Sequence, residues 1–194
     1  METPQRLLLI ASPLMRRTPA YDRAAALAKA KGMALHIVAF DYVEGLATAG
    51  LVNDQALAVM REGYVQQHRA WLETQALPMR RNGVTVTTEV VWVQQPLNEI
   101  LIHLREQPFA MLIKELEHEP WWMRAMFTSL DIQLLRETRI PLHLVHKASH
   151  ALPRRILAAV DLSRPEDQFE GFNDQIISEA LKLTLQCNAQ IELL

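Results

Sequence analysis

The densest chemistry in the sequence is the run Lys114, Glu115, Glu117, His118 and Glu119. Carboxylates set beside a histidine can act as an acid–base cluster when a cleft displaces their pKa values. No nucleophile or phosphate cradle accompanies this run, so it reads as a solvated acidic loop and no catalytic residue is expected. Lys114 is the sharper oddity, because it closes an apolar stretch that begins Phe-Ala-Met-Leu-Ile. A lysine at the carboxyl end of a buried strand must find a partner, reach water or lose its charge. A structural pair with Glu115 is favoured here over a ligand anchor.

Three other groups invite a role. Thr128 and Ser129 precede a helical pattern, with Asp131 three residues after Thr128. Helix capping accounts for all three, and the same N–H groups could also hold an anion. His143, His146 and His150 are the closest-spaced histidines. No helix fixes them on one face and no cysteine or carboxylate stands at ligand spacing, so no metal site is expected. Trp121, Trp122, Met123, Met126 and Phe127 form an apolar cluster suited to a pocket lining, a lid or a partner contact, with core packing an equal alternative.

Bulk properties narrow the classes. The 194 residues carry 20 Lys plus Arg against 22 Asp plus Glu, a net charge of -2, which supplies no basic stripe for duplex nucleic acid. The lone Cys187 excludes an intrachain disulfide and a cysteine-only metal site, and it fits a reducing compartment. The apolar residues 7–15 lie between Arg6 and Arg16-Arg17 without a small-x-small cleavage site, and read as a buried strand rather than a signal peptide. No apolar stretch approaches the ~20 residues of a membrane span. A cytoplasmic protein is expected.

The elements that must position these residues follow from periodicity. Residues 6–12 form a short apolar strand. Thr18-Pro19 opens a helix that Gly32 closes. Residues 35–42 form a second strand. A long helix then starts at Asn53-Asp54, carries the stripe Leu57, Met60, Tyr64, Trp71, Leu72 and Gln75, and frays at Pro78. Strand 84–93 follows, then a helix between Pro96 and Pro108, strand 109–116, helix 129–138 and strand 141–145. Near-continuous apolar strands alternating with helices signify a parallel sheet covered on both faces. The expected fold class is α/β, a five-stranded flavodoxin/Rossmann-like sheet in order 3-2-1-4-5, with its ligand crevice at the carboxyl ends where strand order reverses. Ser12 and Lys114 should face one another there.

The chain also repeats itself. Leu7-Leu8-Leu9-Ile10-Ala11-Ser12 returns as Ile156-Leu157-Ala158-Ala159-Val160-Asp161, and Ala34-Leu35-His36-Ile37 as Gln190-Ile191-Glu192-Leu193. A period of domain size points to tandem domains rather than a solenoid. The expected organisation is a complete domain over 1–147, a linker over 148–154, and the truncated start of a second domain over 155–194. The apolar residues of that second copy need cover, from the first domain or from another chain.

Five alternating strands and helices, the long second helix, Leu134-Leu135-Arg136-Glu137-Thr138 and the closing Ile140-Pro141-Leu142-His143-Leu144-Val145 resemble the universal stress protein family. Lys114, Val91-Trp92, Phe127-Thr128 and the tandem arrangement look most like its E-type tandem branch. Nucleotide-binding members of that family carry an aspartate after the first strand and a G-x2-G-x9-G-[ST] pattern after the fourth. Here the aspartate position is Ser12, and the three glycine positions are Glu115, His118 and Thr128, with Ser129 alone retained. The resemblance implies a closed or converted nucleotide site around Ser12, Lys114, Thr128 and Ser129, with no cofactor. The implied role is a non-catalytic stress-response protein acting through protein contacts or by holding an apolar small molecule. The alternative is an ATP-binding sensor with slow hydrolysis, using Asp161 of the second copy. Family members pair through the closing strand, so a homodimer or pseudo-dimer through residues 141–145 is expected.

Overall fold

The computed structural model describes residues 6–42, 54–116, 129–147, 150–163 and 170–194. Strand β1 (Arg6–Ile10) feeds helix α1 (Pro19–Lys31), whose fixed proline φ suits the first helical position. Gly32 ends the helix in the left-handed region at φ 63°, where glycine lacks the steric penalty of a Cβ, and the N–H of Met33 donates to Ala28 O at 2.9 Å. Strand β2 (Ala34–Asp41) follows, then helix α2 (Asp54–Arg81), β3 (Val86–Trp92), α3 (Pro96–Glu106), β4 (Phe109–Glu115), α4 (Leu130–Glu137) and β5 (Leu142–Val145). All four pairings are parallel and the order is β3-β2-β1-β4-β5, as the alternation of elements predicts.

Period-two alternation along the strands builds two cores. Leu7, Leu9, Leu35, Ile37 and Ile113 face α1 and α2, which contribute Tyr21, Ala24, Leu27, Leu72, Ala76 and Met79. Leu8, Ile10, Val38, Phe40 and Leu112 face α3 and α4, which contribute Ile100 and Leu134.

Helix α2 corrects two expectations. Its buried line is His68, Leu72, Ala76 and Met79, whereas Met60 is exposed. The 28 residues of α2 make a rod about 42 Å long, against roughly 23 Å for the seven-residue strand it covers, so its first half overhangs the sheet. The helix also continues through Pro78 to Arg81. Arg80 donates from Nη1 to Glu73 at 2.5 Å and from Nε to Val86 O at 2.9 Å, bracing the turn that the proline weakens.

The second copy forms β6 (Arg155–Ala158), α5 (Phe172–Cys187) and β7 (Gln190–Leu193), with β6 and β7 in their own two-stranded parallel sheet. Its register repeats that of the first copy. Arg6 pairs with Ala34 and Arg155 with Gln190, and the bond from Ala11 N to Val38 O recurs from Val160 N to Leu194 O. The unit docks on the first core: Cys187 is 8% exposed, and Leu152, Leu183 and Ala189 pack beside it.

Candidate functional site

Strand order reverses between β1 and β4, where Ile10 pairs with Lys114 and a crevice outside the carboxyl ends is expected. Lys114 does not reach that crevice as a free cation. Its Nζ lies 2.9 Å from Asp131 Oδ1, with the two side chains only 5% and 6% exposed, and it also donates to the backbone oxygen of Glu115 at 3.1 Å. Asp131 sits in the first turn of α4, where the helix dipole favours an anion. The expected pairing with the Glu115 carboxylate is therefore replaced. Alternation turns neighbouring strand side chains to opposite faces, and Glu115 Oε2 instead meets Arg16 Nη2 at 3.2 Å.

Ser129 caps α4, its Oγ accepting from Ile132 N at 3.4 Å. The helix start at Ser129 is where capping was expected, and Asp131 in the first turn also pairs with Lys114. Thr128 lies outside the described residues, as do Glu117, His118, Glu119 and the cluster from Trp121 to Phe127. Ser12 turns back on its own loop, where its hydroxyl accepts from Leu14 N at 3.3 Å. Of the expected site residues, the fold brings Lys114 to the helix that Ser129 starts, through Asp131, while Ser12 makes no hydrogen bond to either. The signal that could have found Asp131 was the lysine closing an apolar strand together with an acidic residue in the next helix start.

A second buried pair lies at the end of β2. Asp41 and His68 are both fully buried and Oδ2 of the aspartate contacts Nδ1 of the histidine. The rings of Trp71 and Tyr64 stand edge-on to His68 at 5.8 and 6.3 Å. Burial pushes the nearby Tyr21 phenol above its ordinary range, an effect that Arg17 opposes and the Asp41 charge reinforces. His68 stands four residues before Leu72 on the inner line of α2, a spacing the sequence displays.

His143 and the backbone of His150 both meet Arg23. Arg23 on α1, 7% exposed, donates to His150 O at 2.6 and 3.0 Å, and its Nη1 lies 3.0 Å from His143 Nε2. Burial, with Arg23 and Lys31 adding to it, holds the His143 pKa down to about 4. Among the described residues, no group of three His, Cys, Asp or Glu side chains could hold a metal ion.

Asp161, at the end of β6, repeats the position of Ser12. Its carboxylate accepts from the Ser163 hydroxyl and from Ser163 N at 2.9 Å, and these bonds lower its pKa, while Asn173 of α5 brackets its backbone N–H and C=O at 2.8 Å each. Among the described residues, cavities open near the carboxyl ends of the strands. One, of about 440 Å³, is lined by Arg16, Arg17, Thr18, Glu115, Leu116 and Lys147. Another, of about 380 Å³, lies between the starts of α3 and α4 and is lined by Gln94, Gln95, Asn98 and Gln133 among others. Among the described residues, no helix is long and apolar enough to cross a membrane.

Comparison with known proteins agrees with this geometry. The model of the universal stress protein family matches residues 11–146. Universal stress protein E of Salmonella typhi is 25% identical over 186 residues, covering 95% of this chain and 58% of that protein. The protein of that name from Photorhabdus laumondii is 26% identical over 182 residues, covering 94% and 58%. The chain therefore spans less than two thirds of the length of these relatives. Among solved structures, a functionally unknown protein from Pseudomonas aeruginosa PAO1 superimposes with a TM-score of 0.73 at 20% identity, over 98% of this chain and 60% of its own. A universal stress family protein from Burkholderia pseudomallei gives 0.52 at 15% identity, over 75% and 98%. These two likenesses speak to the fold.

Proposed function

Because the chain belongs to the universal stress protein family, we propose that it is a non-catalytic stress-response protein of the cytoplasm whose first domain has given up its nucleotide site and which acts through protein contacts. The observation that carries this reading is the Lys114–Asp131 pair. It ties the end of β4 to the first turn of α4 at 2.9 Å, with both charges out of water. Nucleotide-binding members need small residues and free backbone N–H groups at that junction. Here the cation is already neutralised, the helix start is capped by Ser129, and Glu115 occupies a glycine position with a negative charge.

Protein contact is favoured by a comparison of the two copies. Leu8 is fully buried, covered by Ile100 of α3 and Leu134 of α4, whereas its counterpart Leu157 is 59% exposed; Ile37 is fully buried and its counterpart Leu193 is 60% exposed. Leu157 and Leu193 point to opposite faces of the β6–β7 pair, and Phe172 and Leu185 of α5 are exposed as well, so apolar side chains of the kind that partner contacts cover stand on more than one side of the unit. Pairing through the edge strand β5 with a second chain belongs to the same proposal.

Thermal unfolding with and without excess Mg-ATP tests the reading. A ligand at 100 times its dissociation constant stabilises the native state by about 2.7 kcal/mol, a shift of several degrees for a chain of this size. No shift is expected. A clear shift would overturn the proposal and make the protein a nucleotide sensor.

A further inference from the structure

On the face of the sheet that α3 and α4 cover, toward the amino ends of β2 and β4, two buried histidines point at one carboxylate. His36 interrupts the apolar strand β2 two residues after its start, and His103 lies in the last turn of α3. They are 7% and 9% exposed. His36 Nε2 lies 3.2 Å and His103 Nε2 3.6 Å from the same atom, Oε2 of Glu89 on the edge strand β3. Aromatic rings position both imidazoles. Phe109 at the start of β4 stacks on His36 with 6.1 Å between centroids, and Phe40 of β2 stands edge-on to His103 at 5.3 Å.

The hydrogen bonds assign the protons, because backbone carbonyls and ionised carboxylates only accept. His103 Nδ1 lies 3.0 Å from Glu99 O, so Nδ1 carries the proton of the neutral ring and Nε2 turns a lone pair toward Glu89. An acceptor then faces an acceptor at 3.6 Å, outside hydrogen-bond distance. His36 is arranged the other way. Its Nε2 donates to Glu89, and its Nδ1 accepts from the Thr87 hydroxyl at 2.7 Å. Neutral His36 therefore has both nitrogens paired, whereas neutral His103 has one bond still to make, and that bond requires a proton.

Other charges near the rings are Glu99 of α3, whose Oε1 lies 3.6 Å from His103 Nδ1, and Arg6 of β1. Among the described residues, α4 and β4 bring no carboxylate into an ion pair with either ring. Burial holds the His36 pKa below its ordinary value; Glu89 opposes this fall, and His103 and Arg6 add to it.

We infer that these groups form a proton-operated clamp, in which one proton taken up at His103 Nε2 turns its contact with Glu89 into a charge-assisted hydrogen bond and fastens the end of α3 to the edge strand. Such bonds are shorter and stronger than neutral ones. In the neutral form Leu97, Ile100 and Leu104 hold α3 through apolar packing, and acid adds a polar tie. A second proton on His36 would set two cations about one carboxylate, so the clamp works with one. Histidine is the side chain suited to respond near physiological pH. The device goes beyond the proposed function and stands whether or not nucleotide binds at the carboxyl-end crevice.

Ring nitrogen NMR of the full chain, with amide exchange referred to the intrinsic rate at each pH, tests the inference. At about pH 7.5 His103 should carry its proton on Nδ1, and at about pH 5.5 on both nitrogens while His36 stays neutral. Protection of residues 103–106 should rise about fivefold over that interval relative to α4, the half-exposed Glu89 carboxylate being partly screened by water. His103→Gln, whose carboxamide donates at either pH, should keep its protection independent of acid. Glu89→Gln, at a half-exposed position outside the core, should abolish the rise, and Glu99→Gln should retain it, because Nδ1 bears a proton in both forms. No rise at the end of α3, or the same rise in Glu89→Gln, would disprove the clamp. So would a first proton on His36, or a His103 ring doubly protonated at both pH values.

Discussion

Arg23 and His143 meet where the second βαβ unit is tethered, with Nη1 of the arginine 3.0 Å from Nε2 of the histidine. A guanidinium can only donate, so Nε2 accepts and the imidazole carries its proton on Nδ1. The other two donors of the same guanidinium hold His150 O, and Cys187 of α5 packs into the core nearby. One side chain of α1 thus joins β5 to the approach of β6.

Burial of His143, with Arg23 adding to it, makes stability depend on pH in a defined window. His143 has its pKa lowered from 6.5 to about 4 in the folded chain, so between those values the unfolded chain binds the extra proton and unfolding is favoured as pH falls. The contribution is complete above about pH 6.5 and lost as pH drops toward 4, to a total of up to about 3 kcal/mol. Urea unfolding from pH 7 to 4 should show this slope, and His143→Gln should flatten it. An identical slope in the variant would show that His143 is not its origin.

Replacing Arg23 should loosen the second unit selectively. Arg23→Leu removes the bonds to His150 O and His143 Nε2, at about 0.5–1.5 kcal/mol for each hydrogen bond lost. Hydrogen exchange should quicken in β6 and the last turns of α5 while β1 and β4 keep their protection. Arg23→Lys should not restore it, because an ammonium cannot reproduce the planar fork. Uniform loss of protection across both units would mean that the two unfold as one.

The Lys114–Asp131 pair yields a test by double substitution. Asp131→Ala removes the carboxylate 2.9 Å from the buried Lys114 ammonium, and a loss of about 3–5 kcal/mol is expected. Lys114→Met combined with Asp131→Leu should recover most of it, since well-packed apolar side chains replace buried ion pairs with little penalty. Urea midpoints for the two single variants and the double variant measure the coupling. Additive losses would mean that the two charges do not depend on one another.

The architecture was legible in the sequence because it rests on local geometry. Thr18-Pro19 and Gly32 bound α1 at the residues expected, the apolar runs gave every strand to within about two residues, and the repeat foretold the matching registers of β1–β2 and β6–β7. The side-chain pairings were not legible, because they join elements distant in sequence. Lys114 found Asp131 across a segment of chain, Asp41 found His68 on a helix whose direction over the sheet fixes which face is inward, and Arg23 found His143 at a range of 120 residues. Periodicity reports which way a residue faces, not which polar group lies opposite. The outer half of α2 misled for a related reason: Leu57 and Met60 continue the stripe, but among the described residues no strand extends beneath them.

Helix α2 survives its internal proline through Glu73 and Arg80, and this too has a pH signature. The Glu73 carboxylate accepts two bonds from Arg80, at 2.5 and 3.1 Å, and another from the Thr88 hydroxyl. These hydrogen bonds hold its pKa down from 4.5 to about 2. Because the folded chain keeps the carboxylate ionised, the stabilisation is present above about pH 4.5 and is lost as pH falls toward 2, below the window of His143. Glu73 is 45% exposed, so solvent screening reduces the effect to about 1 kcal/mol. Arg80→Met should remove that acid-sensitive step and expose the turn containing Pro78 to faster hydrogen exchange, while leaving the slope between pH 4.5 and 6.5 intact. If the turn stays protected in Arg80→Met, packing of Ala76 and Met79 alone sustains the helix past the proline.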